Sequence, residues 1–460
     1  MTLSSRRRGT RNHAASKATI SLRRHDLDNL RTFLTGLVIV HHTAVTYGAP
    51  GRAPFRSVVT RLASPGADTP PTIAAAFNQS FFMGLFFWIS GRVSAQSLAR
   101  IDQDPFRTRW AFIKSKSLRL GLVAVLYTLV VQPASHLIAL EEPSLSSISA
   151  RLAEYFSTMR GIRGPVWYTV NLLIMDAVTA LMAPRAETRA MRNEKEENHT
   201  AGNDDHQSPP SWYVWLARYG WIGAAALSFL ARLYYPLGAN LKIIALQPAY
   251  ASQYILAYTM GHASYKYGTS FIGGFTLGKT SGKDEAAASD EKSDDSSLSV
   301  VAAAPVVSLG TLPVVWIPYL FQDVGRNWMA QSMTDIRGGW NVAAFLYALW
   351  NELSFIIVCP ALLTYFAAWH NRPAKSSLFQ ARYSYGAFLM HTLVNTVLEV
   401  VFDRLLWCDD CKCVSLVSHH LWRWLAPSVM TIVVGAVNVY CSFGVAKLLL
   451  DMFPTLRRVI

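Results

Sequence analysis

The sequence predicts an all-α, polytopic membrane helix bundle of about ten transmembrane helices, with both termini cytoplasmic. Three observations carry that prediction. Of the 460 residues, 51% are hydrophobic and only 16% charged, and the mean hydropathy is +0.21, which is too apolar for an ordinary soluble domain of this size. The apolar residues come in runs, most of them near the roughly 20 residues that cross a bilayer as a helix. Cations gather before the first run and after the second, and the positive-inside rule turns that asymmetry into an orientation.

In order, the runs are Asn29 to Gly48, Thr72 to Leu98, Leu120 to Leu140, Gly164 to Pro184, Tyr219 to Ala231, Ile243 to Tyr265, Ser299 to Gln322, Asn341 to Trp369, Tyr383 to Phe402 and Trp424 to Ala446. The fifth has a short apolar centre between Arg218 and Arg232, so it is expected to snorkel its charges or to tilt. Arg6, Arg7, Arg8 and Arg11 precede the first run, and Arg107, Arg109, Lys114, Lys116 and Arg119 follow the second. The net charge of +14 is therefore a topology signal, and membrane lipids rather than nucleic acid are the expected surroundings.

Residues 1–28 read as a basic cytoplasmic tail, 29–450 as the membrane domain and 451–460 as a short cytoplasmic tail. Two polar, aromatic-poor stretches, 185–210 and 278–299, are expected as mobile cytoplasmic loops. "NHT" at Asn198 matches a glycosylation acceptor but falls on the cytoplasmic side. The first apolar run comes too late for a cleavable signal, and no internal repeat is visible. Cys408, Cys411 and Cys413 crowd into "CDDCKC" in a loop expected outside, where a disulfide with one thiol left over is the reading. A zinc site with His419 or His420 matches no strong spacing, and no metal is expected.

The first run carries polar groups in a pattern. On a helix, Asp28, Arg31, Thr35, His42 and Thr46 share one face, whereas His41 points about 100 degrees away. An ionisable group within a span is costly and is a functional hypothesis by default, and imidazole suits general-base work near neutral pH. His42 is accordingly the candidate base. His41 is expected to pack.

"LDNLRTFLTGLVIVHHTAVTYG" resembles the first helix of the acyltransferase 3 family of integral membrane O-acyltransferases, in which an arginine near the cytoplasmic edge is followed eleven residues later by an essential histidine. Counting from Arg31 gives His42. "FFMGLFFWISG" (81–91), "KSLR" (116–119), "GPVWYTVNLL" (164–173) and "YSYGAFLMHTLV" (383–394) are similar to later family elements in the same order. The wording is closest to the branch of glucans biosynthesis protein C and its fungal-type relatives. Lys116 departs from the arginine of many members, which keeps the charge but not the planar fork that binds phosphate bidentately.

That resemblance implies transfer of an acyl group, acetyl from acetyl-coenzyme A, to a hydroxyl of a small-molecule natural product or a carbohydrate. From Arg31 to His42 is about 16 Å along a helix, comparable with an extended pantetheine arm. Arg31, Lys116 and Arg119 are thus the expected ligands of the donor's phosphates. Lys116 and Arg119 also read as plain positive-inside anchoring. Glu352 is the preferred acid partner of His42, with Asp176 behind it, and either can instead bond to a neighbouring helix. Asp28 is expected to pair with Arg31 at i+3. Ser384, His391 and Asn395 share a face and form a second polar stripe, expected either to line the acceptor pathway or to join helices. Trp88, Trp167 and Tyr168 are expected to pack. The chain shows no attached extracytoplasmic domain, which points to a small or lipid-linked acceptor. A proton-coupled small-molecule transporter is the alternative reading, disfavoured by the lack of inverted repeats, and a passive scaffold ranks last.

Overall fold

In the computed structural model the described residues are 24–51, 54–55, 57–102, 104, 108–140, 142–182, 209–267, 271–272, 275–276, 295–320, 328–406 and 420–458. The first 23 residues, most of both polar loops, Asn198 and the cluster Cys408, Cys411 and Cys413 lie outside them. Each of the ten apolar runs contains a helix among its described residues. We label the elements α1 (His25–Thr46), α2 (Thr69–Asp102), α3 (Arg109–Ile138), α4 (Leu145–Ser157), α5 (Trp167–Met182), α6 (Ser211–Tyr234), α7 (Pro248–Tyr267), α8 (Asp295–Thr311), α9 (Trp328–Arg337), α10 (Val342–Trp369), α11 (Ala381–Leu406) and α12 (His420–Met452). Among the described residues, seven helical segments are long and apolar enough to cross a membrane, including the fifth run, which extends to 24 residues as α6. Of the remaining three, α5 is short at 16 residues, whereas α1 and α7 have 22 and 20 residues but carry more polar side chains.

Local chemistry sets the ends and the irregularities. Thr108 caps α3 by accepting from Ala111 N, Ser144 and Ser147 form a capping box on α4, and Asn341 Oδ1 accepts from Ala344 N at the start of α10. Beyond α1, Gly48 turns the chain at φ +122°, where a side chain would be strained and would strike Asp68. Pro360 and Pro427 lie inside α10 and α12, and in both cases the threonine four residues on (Thr364, Thr431) donates its hydroxyl to the proline carbonyl. Two π-helical stretches, Ser117–Leu122 and Tyr127–Val131, interrupt α3, a feature concentrated near functional sites in other proteins.

The centre of the bundle is α2, whose segment Phe81 to Ile89 is buried throughout, as a helix apolar on all sides must be. It crosses α7 at a glycine pair. A Cβ on Gly261 would lie 1.9 Å from the Trp88 carbonyl oxygen, and one on Gly91 would lie 2.2 Å from that of Tyr258. Small residues let the two backbones touch, which is how helices associate where lipid removes the hydrophobic drive. Around α2, the helix α1 contacts α2, α10, α11 and α12. Trp88 is buried in the core and the Tyr168 hydroxyl bonds to Ser90 Oγ at 2.6 Å, so both pack as expected.

One departure concerns the fifth run. Arg218 is exposed, but Arg232 does not snorkel: it is fully buried, with its guanidinium 5.0 Å from the Tyr347 ring and 5.8 Å from that of Tyr250. Aromatic faces stabilise the cation inside the bundle.

Candidate functional site

Helices α1 and α11 lie side by side, and polar rungs join them. Thr32 Oγ1 and Ser384 Oγ are 3.0 Å apart, and eleven residues later on each helix Thr43 Oγ1 donates to Asn395 Oδ1 at 2.8 Å. Equal steps on both helices mean that they run parallel. Between the rungs the ring of His42 stands against that of His391, with centroids 4.9 Å apart. His42 is partly exposed, whereas His391 is fully buried. His391 Nδ1 lies 2.6 Å from the Phe388 carbonyl oxygen, which can only accept, so Nδ1 carries the proton and Nε2 of the neutral ring keeps its lone pair. His41 turns to the other side and packs on Phe82 at 5.1 Å. All three residues of the second stripe, Ser384, His391 and Asn395, therefore meet α1.

At the opposite end of α1 is a cationic rim. Arg31 Nη2 donates to the Ala381 carbonyl at 3.1 Å and pairs with Asp28 at 3.5 Å, the i+3 contact expected from the sequence. Asn29 Nδ2 donates to the carbonyls of His370 and Arg372, which ties the start of α1 to the turn between α10 and α11. The Arg119 side chain is exposed beside Tyr385, whose hydroxyl reaches the Arg119 carbonyl at 3.4 Å. Lys116 is engaged inward. Its Nζ is 2.8 Å from Asp176 Oδ2 and 3.1 Å from Ser94 Oγ, and Asp176 also accepts from the Tyr258 hydroxyl at 2.7 Å.

Neither acid considered as a partner for His42 is bonded to it. Asp176 serves Lys116 and Tyr258, and Glu352 Oε1 accepts from Asn351 Nδ2 at 3.0 Å and Gln253 Nε2 at 3.3 Å, with Arg232 as its charged neighbour. The group that faces His42 is another imidazole. Sequence reasoning also passed over Glu399, which is fully buried and accepts from Asn395 Nδ2 at 2.5 Å. The signal was available, because Glu399 follows Asn395 by one turn on the same face of α11. Asn438 of α12, which donates to Asn395 Oδ1 at 2.8 Å, had no such signal.

A partly open imidazole inside the bundle, backed by a second one, with a cationic rim about three turns away on the same helix, can deprotonate a hydroxyl and hold an anionic carrier at a distance from it. The family profile described as an acyltransferase domain matches residues 24–447. No curated protein and no solved structure matches the chain. With nearly its whole length matched and, among the described residues, seven helices long and apolar enough to cross a bilayer, the chain belongs to the acyltransferase 3 family and is an integral, multi-pass membrane acyltransferase.

Proposed function

We propose that the protein moves an acyl group, acetyl from acetyl-coenzyme A, to a hydroxyl of a small-molecule natural product or a carbohydrate, with His42 as the general base. The observation that supports this most is the placement of His42, partly open and against His391, on the same helix as Arg31. In the reaction, an imidazole nitrogen of His42 takes the hydroxyl proton as the oxygen attacks the thioester carbonyl. The carbon–sulfur bond breaks, and the departing thiolate takes the proton back from His42, which leaves an ester and free coenzyme A. No metal is needed for this step. His391 takes the supporting place that the sequence had suggested for Glu352: its Nε2 lone pair can accept a proton from His42 or hold its ring by a hydrogen bond.

Arg31 and Arg119 would hold the donor's phosphates at the cationic end, with Lys116 adding charge from behind while bonded to Asp176. On this reading that end faces the cytoplasm, where coenzyme A is made available. The acceptor then approaches along α11 from the His391 side, past Ser384.

Purified protein in nanodiscs, given labelled acetyl-coenzyme A and a panel of sugars and hydroxylated natural products, tests the assignment. Wild type should form an acetyl ester and His42→Ala should not. Equal ester formation by the two would overturn the base assignment, and failure of the wild type to bind the donor would remove coenzyme A from the reaction.

A further inference from the structure

The polar stripe of α11 continues past His391, away from the cationic rim, into a hydrogen-bonded cluster. Asn395 is at its centre. Its Nδ2 donates to Glu399 Oε1 at 2.5 Å, while its Oδ1 accepts from Thr43 Oγ1 and from Asn438 Nδ2, each at 2.8 Å. Asn438 in turn accepts from Ser442 Oγ at 2.9 Å. Thr43, Asn438, Ser442 and Glu399 are fully buried, and Asn395 nearly so.

We propose that Glu399 and Asn395 are positioning residues that hold His42 against His391 by clamping Thr43. The inference rests on the reading of His42 as the base. Two facts carry it. The first is the direction of the Asn395 amide. A flipped amide would put its oxygen against Glu399 Oε1 and its NH2 against the NH2 of Asn438, so Glu399 Oε1 and Asn438 Nδ2 together fix the orientation in which Oδ1 can accept from Thr43. The second is location. Thr43 is the residue after His42, and Asn395 lies one turn beyond His391, so the clamp closes directly above the imidazole pair. Apolar packing would hold α1 against α11 but would let it rotate about its axis. A rotation by one residue is about 100 degrees and would turn His42 away from His391. Bonds that join the single Thr43 hydroxyl to Asn395 of α11 and, at 3.3 Å, to Asn438 Nδ2 of α12 remove that freedom at the level of the imidazoles, as the Thr32–Ser384 contact does eleven residues earlier.

The test is kinetic, in nanodiscs, on full-length protein. Thr43→Val keeps the shape and removes the hydroxyl; it should lower kcat roughly ten- to a hundredfold, the scale of a small misplacement of a reacting group, with the donor KM within about twofold of wild type. Thr43→Ser should restore kcat. Glu399→Gln, whose side-chain oxygen still accepts from Asn395 Nδ2, should stay close to wild type, and Glu399→Leu should fall as far as Thr43→Val. Wild-type kcat for Thr43→Val, alongside an inactive His42→Ala, would overturn the clamp and leave the base standing. The clamp is equally overturned if Thr43→Val shifts only the thermal midpoint, or if Glu399→Gln is as slow as Glu399→Leu. Full activity of His42→Ala would remove the base reading and the clamp together.

Discussion

Two of the buried polar regions of the bundle use the same side-chain chemistry in different ways. On one side, α1, α11 and α12 bring together His42, His391, Thr43, Asn395, Asn438 and Glu399 around a histidine that remains partly exposed. On the other, α6, α7 and α10 enclose Arg232, Glu352, Gln253 and Asn351 among Tyr250 and Tyr347, and all six are buried. Both regions contain a carboxylate and an amide, yet only the first contains an imidazole with access. A carboxylate inside a membrane bundle is thus not by itself a mark of chemistry. Access and the identity of the facing group decide.

The strongest challenge to this contrast is His42→Ala, which should cost about 10²- to 10⁴-fold in ester formation with an unchanged thermal midpoint. Loss of folded protein instead would make the first region as structural as the second. Next in size, Arg232→Ala should destabilise the protein by about 2–5 kcal/mol, because it empties a fully buried site beside the Tyr250 and Tyr347 rings. Arg232→Met, which refills much of that space without the charge, should recover much of that loss, and the unfolding midpoints of the two variants read the difference. The surviving folded fraction of each should keep its kcat. At the cationic rim, Arg119→Ala should raise the donor KM about tenfold with little change in kcat, since an exposed guanidinium contributes to binding rather than to the reacting atoms. Smallest of all, His41→Phe should leave the rate within about twofold, because His41 packs on the Phe82 ring and an aromatic of similar size keeps that contact.

The sequence was informative where one helix sufficed. Spacing placed Arg31 and His42 on one face, separated His41 from them, grouped Ser384 with His391 and Asn395, and paired Asp28 with Arg31. It was silent where two helices had to be adjacent. Nothing in one chain's spacing says that α11 rather than α10 lies beside His42, so Glu352 stood as the partner while His391, already singled out, was the ring that faces it. Lys116 shows the same limit: a cation at a helix end reads as a ligand or an anchor, and only the neighbouring helix reveals that Asp176 holds it. Arg232 was misjudged for a related reason, because the tyrosines that accommodate it come from α7 and α10.

The two rungs between α1 and α11 have a consequence for how such proteins can change. Thr32 meets Ser384 and Thr43 meets Asn395, with the same separation in the chain, 352 residues, at both contacts. The helices are therefore matched scales, and a single-residue insertion between the rungs of either one would rotate everything beyond it out of register. Point substitutions along this seam can be tested one at a time, but helix length cannot drift on one side alone. In a chimera, α1 and α11 form one unit of exchange, however far apart they stand in the sequence.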